Sequence, residues 1–171
     1  MQAKNIMKKN QQGFTLMELM VVVAIVGILA MVAIQQYQNH VARTQVTRVM
    51  SETSSLRTTV EACLLDGKKT VGTASGQCDL GWANSNLIGQ DEQAGQMENN
   101  VPQDGLKVTL PQNAEQVGSI VATFGGNATV AIAGKELSWT RNVAGTWECK
   151  TTVEEKYAPA GCTAAQTQNA E

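Results

Sequence analysis

Gly13-Phe14-Thr15-Leu16-Met17-Glu18-Leu19 opens into the unbroken apolar run Leu19–Ile34. Phe14–Ile34 is 21 residues long. At ~1.5 Å per residue it spans roughly 30 Å as a helix, the thickness of a bilayer core. Its β-branched residues do not argue for a strand, because in lipid a single segment satisfies its backbone hydrogen bonds only as a helix. Gly27 is the weak point of that helix, and small residues also allow close helix packing. One carboxylate, Glu18, sits in the run. A charge there costs on the order of a few kcal/mol. The bland reading is that Glu18, four residues past Phe14, snorkels to the interface.

Residues 1–13 carry Lys4, Lys8 and Lys9 and no acid, which makes them a positively charged leader. A secretory signal places a small-residue cleavage site after its apolar core. Here the charged part ends in Gly13, and no Ala-x-Ala-like exit follows before Tyr37. Positive charge stays cytoplasmic, so residues 14–34 are expected to cross the membrane with their C-terminal end outside. An uncleaved signal anchor has the same orientation.

Nothing at Gln35-Gln36 stops a helix. Tyr37, Val41, Val46, Val49, Thr53, Leu56, Val60 and Leu64 recur at mostly three- and four-residue steps, one face of an amphipathic helix over 35–65. Arg43, Arg48, Glu52, Arg57 and Glu61 supply its wetter side, and Gly67 is a C-terminal stop. Residues 66–104 are turn-rich and polar and form a helix–sheet loop, with Gly95 and Asn99-Asn100 among the turn signals and Cys78 as a pin.

From Gly105 the period becomes two. Leu106–Leu110, Ser119–Phe124, Ala128–Ala133, Glu136–Asn142 and Gly145–Thr151 read as strands joined by Gly125-Gly126-Asn127, Gly134-Lys135 and Val143-Ala144. The expected fold is α+β: a long N-terminal helix packed on a four- or five-stranded antiparallel meander over 105–151. Residues 163–171 are small and polar and read as a flexible tail.

The formal net charge of −2 hides an asymmetry. Without the three leader lysines, 10 basic residues face 15 acidic ones, a balance of −5. Such a body is a poor default for nucleic acid, whose phosphates call for Lys and Arg clusters. Cys63, Cys78, Cys149 and Cys162 include no Cys-x-x-Cys pair, and His40 is the sole histidine, so no metal site or cofactor is expected. Four cysteines beyond a membrane segment suggest two disulfides in an oxidising compartment, with three connectivities open. No nucleophile has a recognisable base partner, which argues against an enzyme. Trp82, Trp139 and Trp147 read as core or interface anchors.

From Gly13 through Ala30, and on through Ala33-Ile34, Tyr37 and Ala42-Arg43, the sequence resembles type IVa pilins with a short leader. Thr146-Trp147-Glu148-Cys149 and Tyr157-Ala158-Pro159-Ala160-Gly161-Cys162 resemble the C-terminal disulfide loop of pilins of the Pseudomonas type, and the chain as a whole resembles pilins of the Pseudomonas, Acinetobacter and Moraxella type. The resemblance implies cleavage between Gly13 and Phe14 by a prepilin peptidase, and N-methylation of Phe14. It also implies pairing of Glu18 with the Phe14 amine of a neighbouring subunit. Physically, cleavage creates a cation one helical turn from Glu18, and pairing the two offsets their desolvation. One departure stands out. Many relatives carry proline where this chain has Gln35, so Gly27 is left as the encoded break and a straighter helix is expected.

The resemblance pairs Cys149 with Cys162, and Cys63 with Cys78 then follows. Residues 149–162 become a disulfide loop, with Lys150, Lys156 and Tyr157 as candidate surface-binding residues. The family implies a major pilus subunit: a single-pass inner-membrane precursor, then an extracellular retractile filament serving twitching motility, adhesion, biofilm formation and DNA uptake. The implied partners are other copies of the chain, the prepilin peptidase, the inner-membrane assembly platform, minor pilins, and a host or abiotic surface, with no direct nucleic-acid contact. A minor pilin, a type II secretion pseudopilin and a monomeric anchored binding protein are the alternatives. The C-terminal cysteine loop speaks against a major pseudopilin.

Overall fold

The computed structural model of the chain describes residues 13–89, 103–113 and 116–164. Most of the leader, Gly95 and Asn99-Asn100 of the helix–sheet loop, and residues 165–171 of the expected tail lie outside the described residues. One helix, α1 (Leu16–Leu65), precedes five strands: β1 (Leu106–Thr109), β2 (Gly118–Thr123), β3 (Glu136–Arg141), β4 (Trp147–Thr151) and β5 (Cys162–Ala164). The chain divides into two units at Tyr37/Gln38.

In the first unit the helix starts at a side-chain cap. The Glu18 N–H donates to Thr15 Oγ1 at 3.2 Å, satisfying a donor that has no partner within the first turn. The helix then runs on through Gly27 and Gln35 without interruption. Every residue from Leu16 to Tyr37 is exposed, apolar or not. A helix greasy all round and covered by nothing belongs in lipid or among other helices.

In the second unit α1 buries Ala42, Val46, Val49, Thr53, Leu56, Val60 and Cys63, alternating steps of four and three. This is the expected amphipathic face, rotated slightly. Tyr37 stays outside it at 69% exposure, Val41 and Leu64 are half-buried, and Ala42 and Cys63 take the inner positions.

The sheet order is β1-β2-β3-β4-β5. The first four strands are antiparallel neighbours, while β5 pairs parallel to β4. The antiparallel meander expected over 105–151 is present as β1–β4, and β5 adds a parallel strand at its edge, reached through the segment 152–161. One row crosses all five strands as Val108, Ile120, Trp139, Cys149 and Cys162, and a second runs Leu106, Ala122, Leu137 and Thr151. These rows carry most of the sheet's buried side chains. Trp139 meets the helix directly: its Nε1–H donates to the buried Thr53 Oγ1 at 3.1 Å, and the Arg57 guanidinium lies 4.0 Å above its ring.

Ala128–Ala133 is not a strand. Thr123 pairs with Glu136, so 124–135 is the connection between β2 and β3. Several of its backbone groups are already taken. Gln45 on α1 accepts from Thr129 N–H at 2.9 Å and donates to the Asn127 carbonyl at 3.3 Å. Ile132 and Ala133 N–H both donate to the Thr129 carbonyl, closing a turn that leaves Val130 95% exposed. The alternation of small apolar residues is real, but among the described residues the segment pairs with no strand. Residues 163–164, expected in the tail, belong to β5.

The loop after the helix is held at three places. Cys63 and Cys78 are bonded. The buried Gln103 amide uses its full capacity, accepting from Trp82 Nε1–H and Ser85 N–H and donating to the carbonyls of Ser85 and Ile88. Gly89 and Gly105 pass backbone to backbone: a Cβ on Gly105, at φ +78°, would stand 2.6 Å from Gly89 Cα.

Candidate functional site

Two regions carry the functional reading, one in each unit. In the first, Gly13 has no atom within 4 Å of where a side chain would start, and Phe14 is 86% exposed. The backbone between them is unobstructed among the described residues. Glu18 is exposed, one turn into the helix, and makes no ion pair among the described residues. Within the given sequence the Phe14 nitrogen is a peptide amide and carries no charge.

In the second region β4 and β5 bring Cys149 and Cys162 into register, and the two are bonded. Val153, Tyr157 and Pro159 anchor the loop between them by burial. Tyr157 is only 5% exposed, and its hydroxyl meets Asn39 Oδ1 on α1 at 3.3 Å. It is a packing residue, which corrects its place among the surface-binding candidates. Lys150 and Lys156 are exposed. Lys156 Nζ pairs with Glu154 at 2.9 Å and stands 4.8 Å from the Tyr157 ring centroid. Hydrogen bonding to Glu154, then to Tyr157, raises its pKa above the ordinary lysine value. A groove of about 980 Å3 runs beside the loop, and Arg43, Lys135, Glu154 and Glu155 are among the residues that line it.

The cross-strand neighbours Arg141 and Trp147 were not linked to Glu61 by any spacing in the sequence. The structure joins all three. Arg141 donates to both Glu61 oxygens, at 2.6 and 3.3 Å, and Trp147 Nε1–H donates to Oε1 at 2.8 Å. The Arg141 hydrogen bond is the main reason the Glu61 carboxyl titrates below its ordinary value; burial works against the shift, and the Trp147 bond adds to it. Among the described residues no cluster of His, Cys, Asp and Glu is arranged to hold a metal ion.

A helix that is apolar on all sides, capped at Thr15, and joined to a disulfide-closed sheet matches two family models. The pilin (bacterial filament) model covers residues 42–163, and the prokaryotic N-terminal methylation motif covers residues 8–34. The chain belongs to the pilin family. This pilin is 52% identical to a type IV major fimbrial protein FimA of Dichelobacter nodosus, over 91% of this chain and 98% of that one. A probable minor fimbrial protein of the same organism is 42% identical, over 90% of this chain and 96% of that one. Among solved structures, the Cs1 pilin chimera superposes with a TM-score of 0.56 at 25% identity, covering 73% of this pilin and 98% of the chimera. Pilins are structural proteins rather than catalysts, and a bacterial filament is a homo-oligomer. The apolar N-terminal helix and the pilin relatives fit a membrane-anchored precursor and a surface pilus, and the methylation motif suggests peptidase processing.

Proposed function

We propose that this pilin is the major subunit of a type IV pilus. The observation that carries the reading is the wholly uncovered apolar half of α1 on a chain whose identity to a major fimbrial protein exceeds that to a minor one by ten points. Such a helix needs lipid before assembly and neighbouring helices after it.

In this reading the leader is cut between Gly13 and Phe14 on the cytoplasmic side, and the new Phe14 amine is methylated. Glu18 then pairs with the Phe14 amine of a neighbouring subunit, which offsets the burial of both charges and sets the stagger between subunits. The assembly platform and minor pilins act on the membrane-held subunit. The extracellular filament extends and retracts for twitching motility, adhesion, biofilm formation and DNA uptake. Lys150 and Lys156 are the groups of the disulfide loop open to a host or abiotic surface.

Mass spectrometry of sheared surface fibres tests the processing and the major role together. The expected fibre is dominated by this chain, starting at methylated Phe14. A non-fibrous membrane protein that retains residues 1–13 overturns the proposal. Glu18→Gln is expected to leave leader removal intact and reduce fibre yield at least tenfold; wild-type yields overturn the pairing role.

A further inference from the structure

The two ends of the sheet both expose apolar side chains on ordered turns. Residues 124–134 join β2 to β3 and carry no charged side chain. Val130, Ala131 and Ala133 are exposed there, Val130 to 95%. The turn is fixed from within. The Thr129 carbonyl accepts from the Ile132 and Ala133 N–H groups, Ile132 is buried, and Gln45 of α1 bonds to the backbone of both Asn127 and Thr129. It buries one apolar residue and holds another in water. A fixed apolar knob without charge has the composition of an interface centre, where charged residues are depleted.

The other end is formed by three segments. Gly118 pairs with Arg141, so Val117 and the β3–β4 turn at Val143 flank one end of the sheet. Arg141 reaches Glu61, one helical turn before Leu65, and Gln112 donates to the Lys69 carbonyl at 2.8 Å, so the C-terminus of α1 lies at that end too. Leu65 is 89% exposed, and Val117 and Val143 are exposed. Residues 142–147 carry no charge. Glu61 pairs with Arg141, and Asp66 with Lys68 at 3.2 Å, which cancels charge beside the apolar groups. Gln45 and Glu61 mark the two ends on α1. They are 16 residues apart, roughly 24 Å of helix at ~1.5 Å per residue.

We propose that the Val130 turn of one subunit docks on the end of a second copy that carries Leu65, Val117 and Val143. This rests on the reading of the chain as the major filament subunit. Symmetry and charge both select a second copy as the occupant. Contact between two different patches leaves one patch free on each copy, so it propagates into an open filament, whereas a patch that pairs with itself closes a dimer. The family forms bacterial filaments, and this body has two different apolar ends. Without the leader, 10 basic side chains face 15 acidic ones, so copies repel one another over much of their surface. The uncharged turns are where two such bodies approach at the least electrostatic cost, and burying their apolar groups supplies the attraction. The contact is separate from any packing of the apolar helix halves.

The test uses sheared fibres from cells that express the wild-type chain together with a copy carrying a benzophenone amino acid at position 130. After irradiation, mass spectrometry reads the cross-linked peptides. The expected cross-links run from position 130 to peptides that contain Leu65, Val117 or Val143. Within one copy those residues lie at the opposite end of the sheet, beyond the reach of the probe, so such a cross-link joins two copies. Cross-links from 130 to 130, to another face of the second copy or to a different protein overturn the proposal, as does the absence of any cross-link. Val130→Asp is expected to lower fibre yield roughly tenfold, the scale set by burying one valine side chain, and to leave thermal unfolding of the body unchanged. Wild-type yield, or a loss matched by a lowered unfolding midpoint, overturns the docking role. Fibres that lack this chain before irradiation overturn the major-subunit reading beneath the proposal, a result distinct from the others.

Discussion

Arg141 Nε donates to Glu61 Oε1 at 2.6 Å, joining the third strand to a helix residue 80 positions earlier. Trp147, opposite Arg141 in the sheet, donates to the same oxygen. One carboxylate on α1 thus holds two neighbouring strands through three hydrogen bonds.

This contact makes stability depend on pH. The Glu61 pKa is lowered in the folded state, chiefly by the Arg141 hydrogen bond. A depressed carboxylate stabilises the fold fully above the unfolded value of about 4.3, and the contribution fades as pH falls through the lower folded value. Because Glu61 is about a third exposed, solvent screening limits the gain. Glu61→Gln is expected to cost about 1 kcal/mol at neutral pH in urea unfolding and progressively less below pH about 4. A difference that stays constant down to strongly acidic pH would refute the assignment.

The buried Thr53 hydroxyl accepts from Trp139 and donates to the Val49 carbonyl at 2.7 Å. Thr53→Val keeps the shape and removes the acceptor, leaving a buried indole N–H unpaired, at a cost of about 1–3 kcal/mol. Thr53→Ser should retain most of that. Thermal unfolding of the two variants separates the hydrogen bond from the loss of a methyl group.

Gly105 has no room for a side chain and sits at a positive φ. Gly105→Ala is expected to destabilise by at least about 2 kcal/mol, since the backbone conformation and the clash with Gly89 act together. Gly27→Ala, with nothing near its Cβ position, should leave the unfolding midpoint of the folded body unchanged. Equal midpoints for both variants would count against the close approach of the two loop strands.

The Cys149–Cys162 bond closes a loop of sequence separation 13. Replacing both cysteines with serine is expected to cost about 3 kcal/mol in the chain-entropy model. Limited proteolysis should then cut between residues 153 and 161 before elsewhere, because there the chain has left β4 and its main anchors are the buried Val153, Tyr157 and Pro159. Unchanged protease resistance would mean that burial suffices without the bond.

The sequence by itself determined the one long helix, its change from all-round apolar to one-faced near residue 35, and the short motif around Gly13, Phe14 and Glu18. These are local properties: each follows from period, composition and charge within a few turns of chain. It also indicated the positions of β1, β2, β3 and β4 to within two residues, because alternation and turn residues are local as well. It could not tell that Ala128–Ala133 alternates without pairing, since that depends in part on Gln45 accepting from Thr129 N–H, 84 residues away. Nor could it place Tyr157 inside, because the hydroxyl's partner, Asn39, lies 118 residues earlier. The parallel pairing of β5 and the Glu61–Arg141–Trp147 contact are likewise matters of which distant groups the fold brings within hydrogen-bond reach. Tertiary structure decided them because a hydrogen bond is set by distance in space, and no periodicity along the chain encodes it.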